Sequence, residues 1–329
     1  MGADKISPEV SNKLANLSFV CACLVVMLHY PHGDGLAFRA FYSVFPGAFS
    51  RMAVPCFFLV SGFLLSCSRD GWWKSALSKR ARSLLLPYFV LNLLDAVLTV
   101  VRLHLVRHVA YVDLLTVSRI AEMFGVFPNG KIAVGPLWYL RTLFMFVVIS
   151  PALVWLVRRA RYLVGLAIVS LLAAAITDDS MAARYFYCYR GLAYFIMGIW
   201  FRRYGIPRIG KGVACFSVAL GFVLLAMERL PVVSDFGIAL AIIGCWGLVP
   251  SDRWPSFFKQ SAFPIYVFHP VVITWGWVTL RALGWIERVV SSVSVNLSVL
   301  LAVIVFCAGM GYVVRANRWV CALLLGGRK

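Results

Sequence analysis

Ten apolar runs fill this chain of 329 residues, near 14–30, 44–67, 83–101, 135–157, 162–177, 185–201, 212–227, 235–250, 262–280 and 293–314. A hydrocarbon core about 30 Å thick takes roughly 20 residues of helix, and about 17 suffice. The polar sequence left between the runs is too short to clothe a soluble protein, and only helices or closed barrels satisfy their backbone in lipid. The expected fold is therefore an all-α integral membrane protein of about ten transmembrane helices, with residues 1–329 forming a single domain. Composition agrees, since 62% of the residues are hydrophobic, against about 45–50% in an ordinary soluble domain.

The net charge of +19 raises nucleic acid as a partner, but a nucleic-acid binder gathers its cations on one face or arm. Here Lys and Arg punctuate apolar segments, which is how a chain orients itself in a bilayer. Assigning alternate segments to opposite sides puts 20 Lys and Arg on the side of the N-terminus and 9 on the other, with Arg51, Arg141 and Arg190 inside the runs. Both termini are expected in the cytoplasm. The first run follows Lys5, Glu9 and Lys13 and lacks a small-x-small exit site, so it reads as a retained signal anchor. The nine cysteines, mostly within apolar runs and never in a CxxC pair, read as small buried residues.

An ionisable group at membrane depth costs about 2.5 kcal/mol or more and marks a functional site by default. His29 closes the first run, and Arg51, Arg141 and Arg190 each lie several residues into runs that begin outside, so all four are expected in the outer half of the membrane. Arg51 is placed about 10 Å deep at 1.5 Å per residue. Imidazole titrates near neutrality and suits the removal of a proton from a hydroxyl. Guanidinium keeps its charge when buried and offers a planar fork to phosphate or carboxylate. His29 and Arg51 are the catalytic candidates. Arg141 and Arg190, for which snorkelling to headgroups is the alternative, join Trp138 and Tyr139 as substrate-binding candidates. No Gly-x-Ser-x-Gly elbow is present, which puts the reacting hydroxyl on the substrate.

The first run, ending Leu24-Val25-Val26-Met27-Leu28-His29, and the stretch Arg51-Met52-Ala53-Val54-Pro55-Cys56-Phe57-Phe58-Leu59-Val60-Ser61-Gly62-Phe63-Leu64 together resemble the membrane-bound acyltransferase family 3. Three weaker signatures agree in order: Lys79-Arg80-Ala81-Arg82 leading to Pro87, Gly135-Pro136-Leu137-Trp138-Tyr139-Leu140, and Ser261-Ala262-Phe263-Pro264-Ile265-Tyr266-Val267-Phe268-His269-Pro270. The resemblance implies transfer of an acyl group, commonly acetyl, from cytoplasmic acyl-CoA to a hydroxyl of an extracytoplasmic or lipid-linked glycan, with His29 as general base. It implies acyl-CoA as a donor substrate rather than a bound cofactor, and a multi-pass protein of a bacterial inner membrane among its lipids. Lys79, Arg80 and Arg82 become candidates for binding the phosphates of acyl-CoA, with plain positive-inside charge as the alternative.

One position departs from the family pattern: the basic residue usual eleven positions before the histidine is Ser18 here, leaving Lys13 to supply that charge or donor handling to differ. A transporter or flippase for an anionic lipid-linked sugar, or a catalytically inactive relative, are the competing readings. His104 and His108 have the spacing of a metal pair but no third ligand, so no metal is expected. His269 is expected toward the cytoplasmic half of its span in a structural or channel-lining role. Asp95 is a candidate partner for one of the arginines, Asp178 and Asp179 form an outer turn, and the outer segment 102–134 is expected to hold an interfacial helix.

Overall fold

The described part of each of the ten apolar runs lies largely on helix in the computed structural model, which describes residues 6–31, 42, 46–65, 72–107, 121–122, 124, 134–178, 180, 184, 188–227 and 231–328. The principal helices are α1 (Pro8–His29), α2 (Pro46–Ser50), α3 (Ala53–Phe63), α4 (Trp72–Arg80), α5 (Leu86–Arg107), α6 (Trp138–Arg159), α7 (Arg161–Thr177) and α8 (Tyr189–Tyr204). They continue with α9 (Lys211–Ala226), α10 (Pro231–Leu248), α11 (Ser256–Ala282), α12 (Ile286–Ser291), α13 (Val293–Ala316) and α14 (Arg318–Leu325). No strand occurs among the described residues.

Among the described residues, five helical segments are long and apolar enough to cross a bilayer: Pro8–His29, Trp72–Leu98, Gly135–Arg159, Ser256–Ala282 and Val293–Ala316. Ala53–Phe63, Tyr162–Thr177, Lys211–Ala226 and Val232–Leu248 are apolar but shorter. The all-helical membrane architecture thus stands, while the count of about ten spans and the side of each terminus remain expectations of the sequence. The expected interfacial helix in 102–134 lies largely outside the described residues, as do His108 and Asp179.

The second run is not one continuous helix. It breaks at Arg51 and Met52, where α2 gives way to α3 through a tight turn in which the Met52 amide donates to the Phe49 carbonyl at 3.2 Å. Pro55 explains the break, since it has no N–H to give the Arg51 carbonyl four residues back. Arg51 is accordingly half-buried at a helix junction rather than partway down a smooth rod.

Prolines elsewhere do related work, because each frees the carbonyl four residues earlier. Pro151 frees Val147, whose oxygen accepts from Trp73 Nε1 at 3.2 Å and Ser150 Oγ at 2.7 Å. Pro264 frees Gln260, whose oxygen accepts from Arg315 Nη2 at 2.6 Å. Pro270 frees Tyr266, whose oxygen meets His269 Nδ1 at 2.7 Å. Before Pro87 the backbone widens into a π-helical stretch, Ala81–Leu85, of the kind that recurs at functional sites.

Packing around the site begins with α3 and α8, which run side by side. A Cβ on Gly62 would strike the Phe195 carbonyl, and one on Gly198 the Leu59 carbonyl; small residues of this kind let helix backbones touch in lipid, where van der Waals contact drives association. Helices α1 and α11 lie parallel. Asn16 Nδ2 donates to the Pro250 and Asp252 carbonyls at 3.0 and 3.1 Å just ahead of α11, Phe19 meets Phe258 at 5.0 Å, and the C-terminal end of α1 reaches the middle of α11. Helices α6 and α8 are also parallel, tied by Phe146 against Phe195 at 5.5 Å and by the Tyr204 hydroxyl donating to the Val157 carbonyl at 3.0 Å.

Candidate functional site

His29, the last residue of α1, is exposed, and its ring lies 5.5 Å from that of His269. His269 is 0% exposed and is held on α11 by its Nδ1, 2.7 Å from the Tyr266 carbonyl and 3.1 Å from that of Ile265. A carbonyl only accepts, so Nδ1 carries the proton and Nε2 of a neutral ring is left as an acceptor. Among the described residues that buried Nε2 has no hydrogen-bond partner. An accessible histidine backed by a buried one of fixed tautomer is an arrangement for moving a proton. The expectation that His269 lies farther in than His29 is corrected: α11 starts at Ser256 and runs parallel to α1, which brings the two rings to one level.

From the histidines toward the N-terminal end of α11, aromatic rings continue along the helix. Tyr266 lies 6.1 Å from His269 and 5.6 Å from Tyr139, and its hydroxyl donates to the Pro136 carbonyl. Tyr139 is buried against Phe58 at 4.7 Å, and its hydroxyl shares a hydrogen bond with Ser61 Oγ at 3.1 Å. Phe263, Tyr266 and His269 follow at three-residue intervals, making a slanted stripe that rises about 9 Å along the helix. Trp138, half-buried at the start of α6, meets Phe58 at 6.2 Å.

The arginines separate into different environments. Arg51 sits at the α2–α3 junction, and both flanking helices pack on α1, so it and His29 belong to adjoining elements. Arg141 is within electrostatic reach of Tyr88 of α5. Arg190, expected to bind substrate, forms an ion pair with Asp235 of α10, Nε to Oδ1 at 2.5 Å and Nη2 to Oδ2 at 3.3 Å. Its fork is thereby committed to a carboxylate that is 6% exposed. Since α6 and α8 are parallel and held at Phe146 and Phe195, Arg141 and Arg190 fall at nearly the same level.

Within the basic cluster the side chains diverge. Lys79 and Arg82 are exposed while Arg80 is half-buried and within electrostatic reach of Tyr139. Lys13 donates to the Trp246 carbonyl at 2.9 Å and stands 5.2 Å over its ring, a cation at the C-terminal turn of α10 where the helix dipole welcomes it. Ser18 turns back to the Leu14 carbonyl at 2.7 Å. No group of three or more metal-ligating side chains occurs among the described residues.

Sequence reasoning did not single out Asp235 or Tyr266. Asp235 is the sole acid of the eighth apolar run, a signal as strong as that of the arginines; the spacing Tyr266-x-x-His269-Pro270 held the other.

The sequence model of an acyltransferase domain, acyltransferase family 3, matches residues 16–312. No curated protein and no solved structure matches the chain.

Proposed function

The chain belongs to acyltransferase family 3, and we propose that it moves an acyl group, acetyl in the simplest case, from cytoplasmic acyl-CoA to a hydroxyl of an extracytoplasmic or lipid-linked glycan. The observation that carries this reading is the pairing of exposed His29 with buried His269, the latter locked as an acceptor at Nε2 by the carbonyl that Pro270 releases.

In the proposed reaction His29 takes the proton of the sugar hydroxyl as its oxygen attacks the thioester carbonyl. The carbon–oxygen bond forms, the carbonyl becomes an oxyanion, and Arg51 or a neighbouring amide stabilises it, an effect often worth about 2.7–4 kcal/mol. Collapse breaks the carbon–sulfur bond, and the departing thiolate recovers the proton from the His29 imidazolium. The products are the ester and the CoA thiol. His269 Nε2 accepts a hydrogen bond from the protonated partner and so steadies the imidazolium between the two proton transfers. Arg141, with Trp138 near it, contributes to acceptor binding, whereas Arg190 is assigned to the scaffold through Asp235. The setting proposed is a bacterial inner membrane, with the amino-terminal end of α1 in the cytoplasm.

Mass spectrometry of surface glycans tests the reading in cells lacking the gene and complemented with the native protein or with His29→Ala at equal abundance. An O-acyl mass restored by the native protein alone supports it; restoration by both removes His29 from the chemistry, and no acyl difference at all removes acyl transfer to these glycans.

A further inference from the structure

Beyond residue 312, where the family match ends, α14 folds back to pack on α5. The fit depends on Gly326, which has φ +64°; a Cβ there would strike Ser83 Cα and lie 2.9 Å from the Ser83 oxygen. Ser83 is in the π-helical stretch Ala81–Leu85, and Pro87, four residues on, has no N–H to give its carbonyl. A second tie comes from Arg315, which donates through Nε to the Arg328 carbonyl at 3.2 Å, through Nη1 to Gly311 at 3.1 Å and through Nη2 to Gln260 at 2.6 Å. One arginine thus pins the returning segment to α11 and α13.

The result is the placement of the Arg328 guanidinium 3.5 Å over the Phe263 ring, at the inner end of the aromatic stripe that leads to His269. Arg80 lies within electrostatic reach of Arg328, and both arginines act electrostatically on Tyr139. Among the described residues neither guanidinium has a carboxylate partner or a protein hydrogen bond. Burial, and after it the Arg80 charge, lowers the Arg328 pKa, while Tyr139 pushes it up. Guanidinium holds its proton tenaciously, so two like charges brought together are better relieved by a bound anion than by deprotonation.

We infer that Arg328 and Arg80 form a phosphate-binding pair that grips the diphosphate end of the acyl-CoA donor, with Phe263, Tyr139 and Tyr266 walling the way to His29. This rests on the acyl-CoA reading above and extends it to a residue outside the matched domain. Arg328 is a binding residue and takes no part in the proton transfers. The same chemistry would suit an anionic lipid headgroup, and the test separates the two sources.

The measurement is calorimetric titration of CoA and of pantetheine, which lacks phosphate, into the full chain in phosphatidylcholine nanodiscs, for the native protein, Arg328→Ala and Arg328→Lys. The expected result is at least a tenfold loss of CoA affinity in Arg328→Ala, a smaller loss in Arg328→Lys, and unchanged pantetheine binding. Should Arg328→Ala fail to accumulate, Arg328→Gln takes its place with the same expectation. Equal CoA affinity in native and variant proteins overturns the Arg328 assignment and leaves acyl transfer standing. A native protein that binds no CoA overturns the donor reading with it. In discs containing phosphatidylglycerol, loss of that lipid from Arg328→Ala with CoA affinity unchanged assigns the pair to a headgroup and likewise overturns the proposal.

Discussion

The ring of His269 stands 5.5 Å from that of His29, one wholly buried and the other exposed, although 240 residues separate them in the chain. Replacing His29 by Ala is expected to lower acyl transfer by about 100-fold or more, the usual share of general-base catalysis, with membrane insertion intact. Turnover of the purified variant with acetyl-CoA and a soluble acceptor glycan checks this, and near-native turnover would remove the imidazole from the reaction.

Pro270→Ala restores a backbone N–H that competes for the Tyr266 carbonyl now bonded by His269 Nδ1. A hydrogen bond of this kind contributes about 1 kcal/mol net, so kcat is expected to fall by roughly fivefold at unchanged donor KM. A fall in affinity without a fall in kcat would mean that the proline serves helix shape and not the histidine.

Arg190 and Asp235 make a pair that a double-mutant cycle can read. Arg190→Gln or Asp235→Asn alone leaves the other charge without its partner and is expected to cost up to about 3 kcal/mol of stability, with the double variant recovering most of it. Thermal unfolding in detergent gives the coupling. Additive losses would return Arg190 to the list of substrate-binding residues.

Gly62→Ala sets a methyl group against the Phe195 carbonyl at the α3–α8 contact. Overpacking of this sort costs about 1–3 kcal/mol, and the variant is expected to show a lower unfolding temperature and reduced accumulation. Full stability would show that the two helices have room to part.

The helices were legible in the sequence because apolar length is what lipid demands, and the described part of each run is largely helical. The break at Arg51 was less so: hydropathy averages over Pro55, whose effect is felt four residues back as a missing hydrogen bond. The candidate site divided along similar lines. His29 and Arg51 announce themselves as polar groups in apolar surroundings, but the depth of His269 depended on where α11 begins, which a window of hydropathy does not fix. Arg190 looked like a ligand-binding charge because Asp235, in a different run, is joined to it only by the packing of α8 near α10. Arg328 was counted among the many cytoplasmic cations, and nothing in its local sequence distinguishes it; its position is a product of the chain reversing at Asn317, whose side chain accepts from the Trp319 and Val320 amides at 2.9 and 3.2 Å.

The stripe on α11 also acts as an indexing device. Phe263 meets the segment carrying Arg328, Tyr266 meets Tyr139, and His269 meets His29, so the separation between the proposed grip on the donor and the proposed base is measured out by six residues of one helix. Adding a single residue there would turn everything beyond it by about 100°, swinging the histidine away from α1 while every side chain remained present. This short stretch is therefore where the chain should tolerate substitution more readily than any change of length.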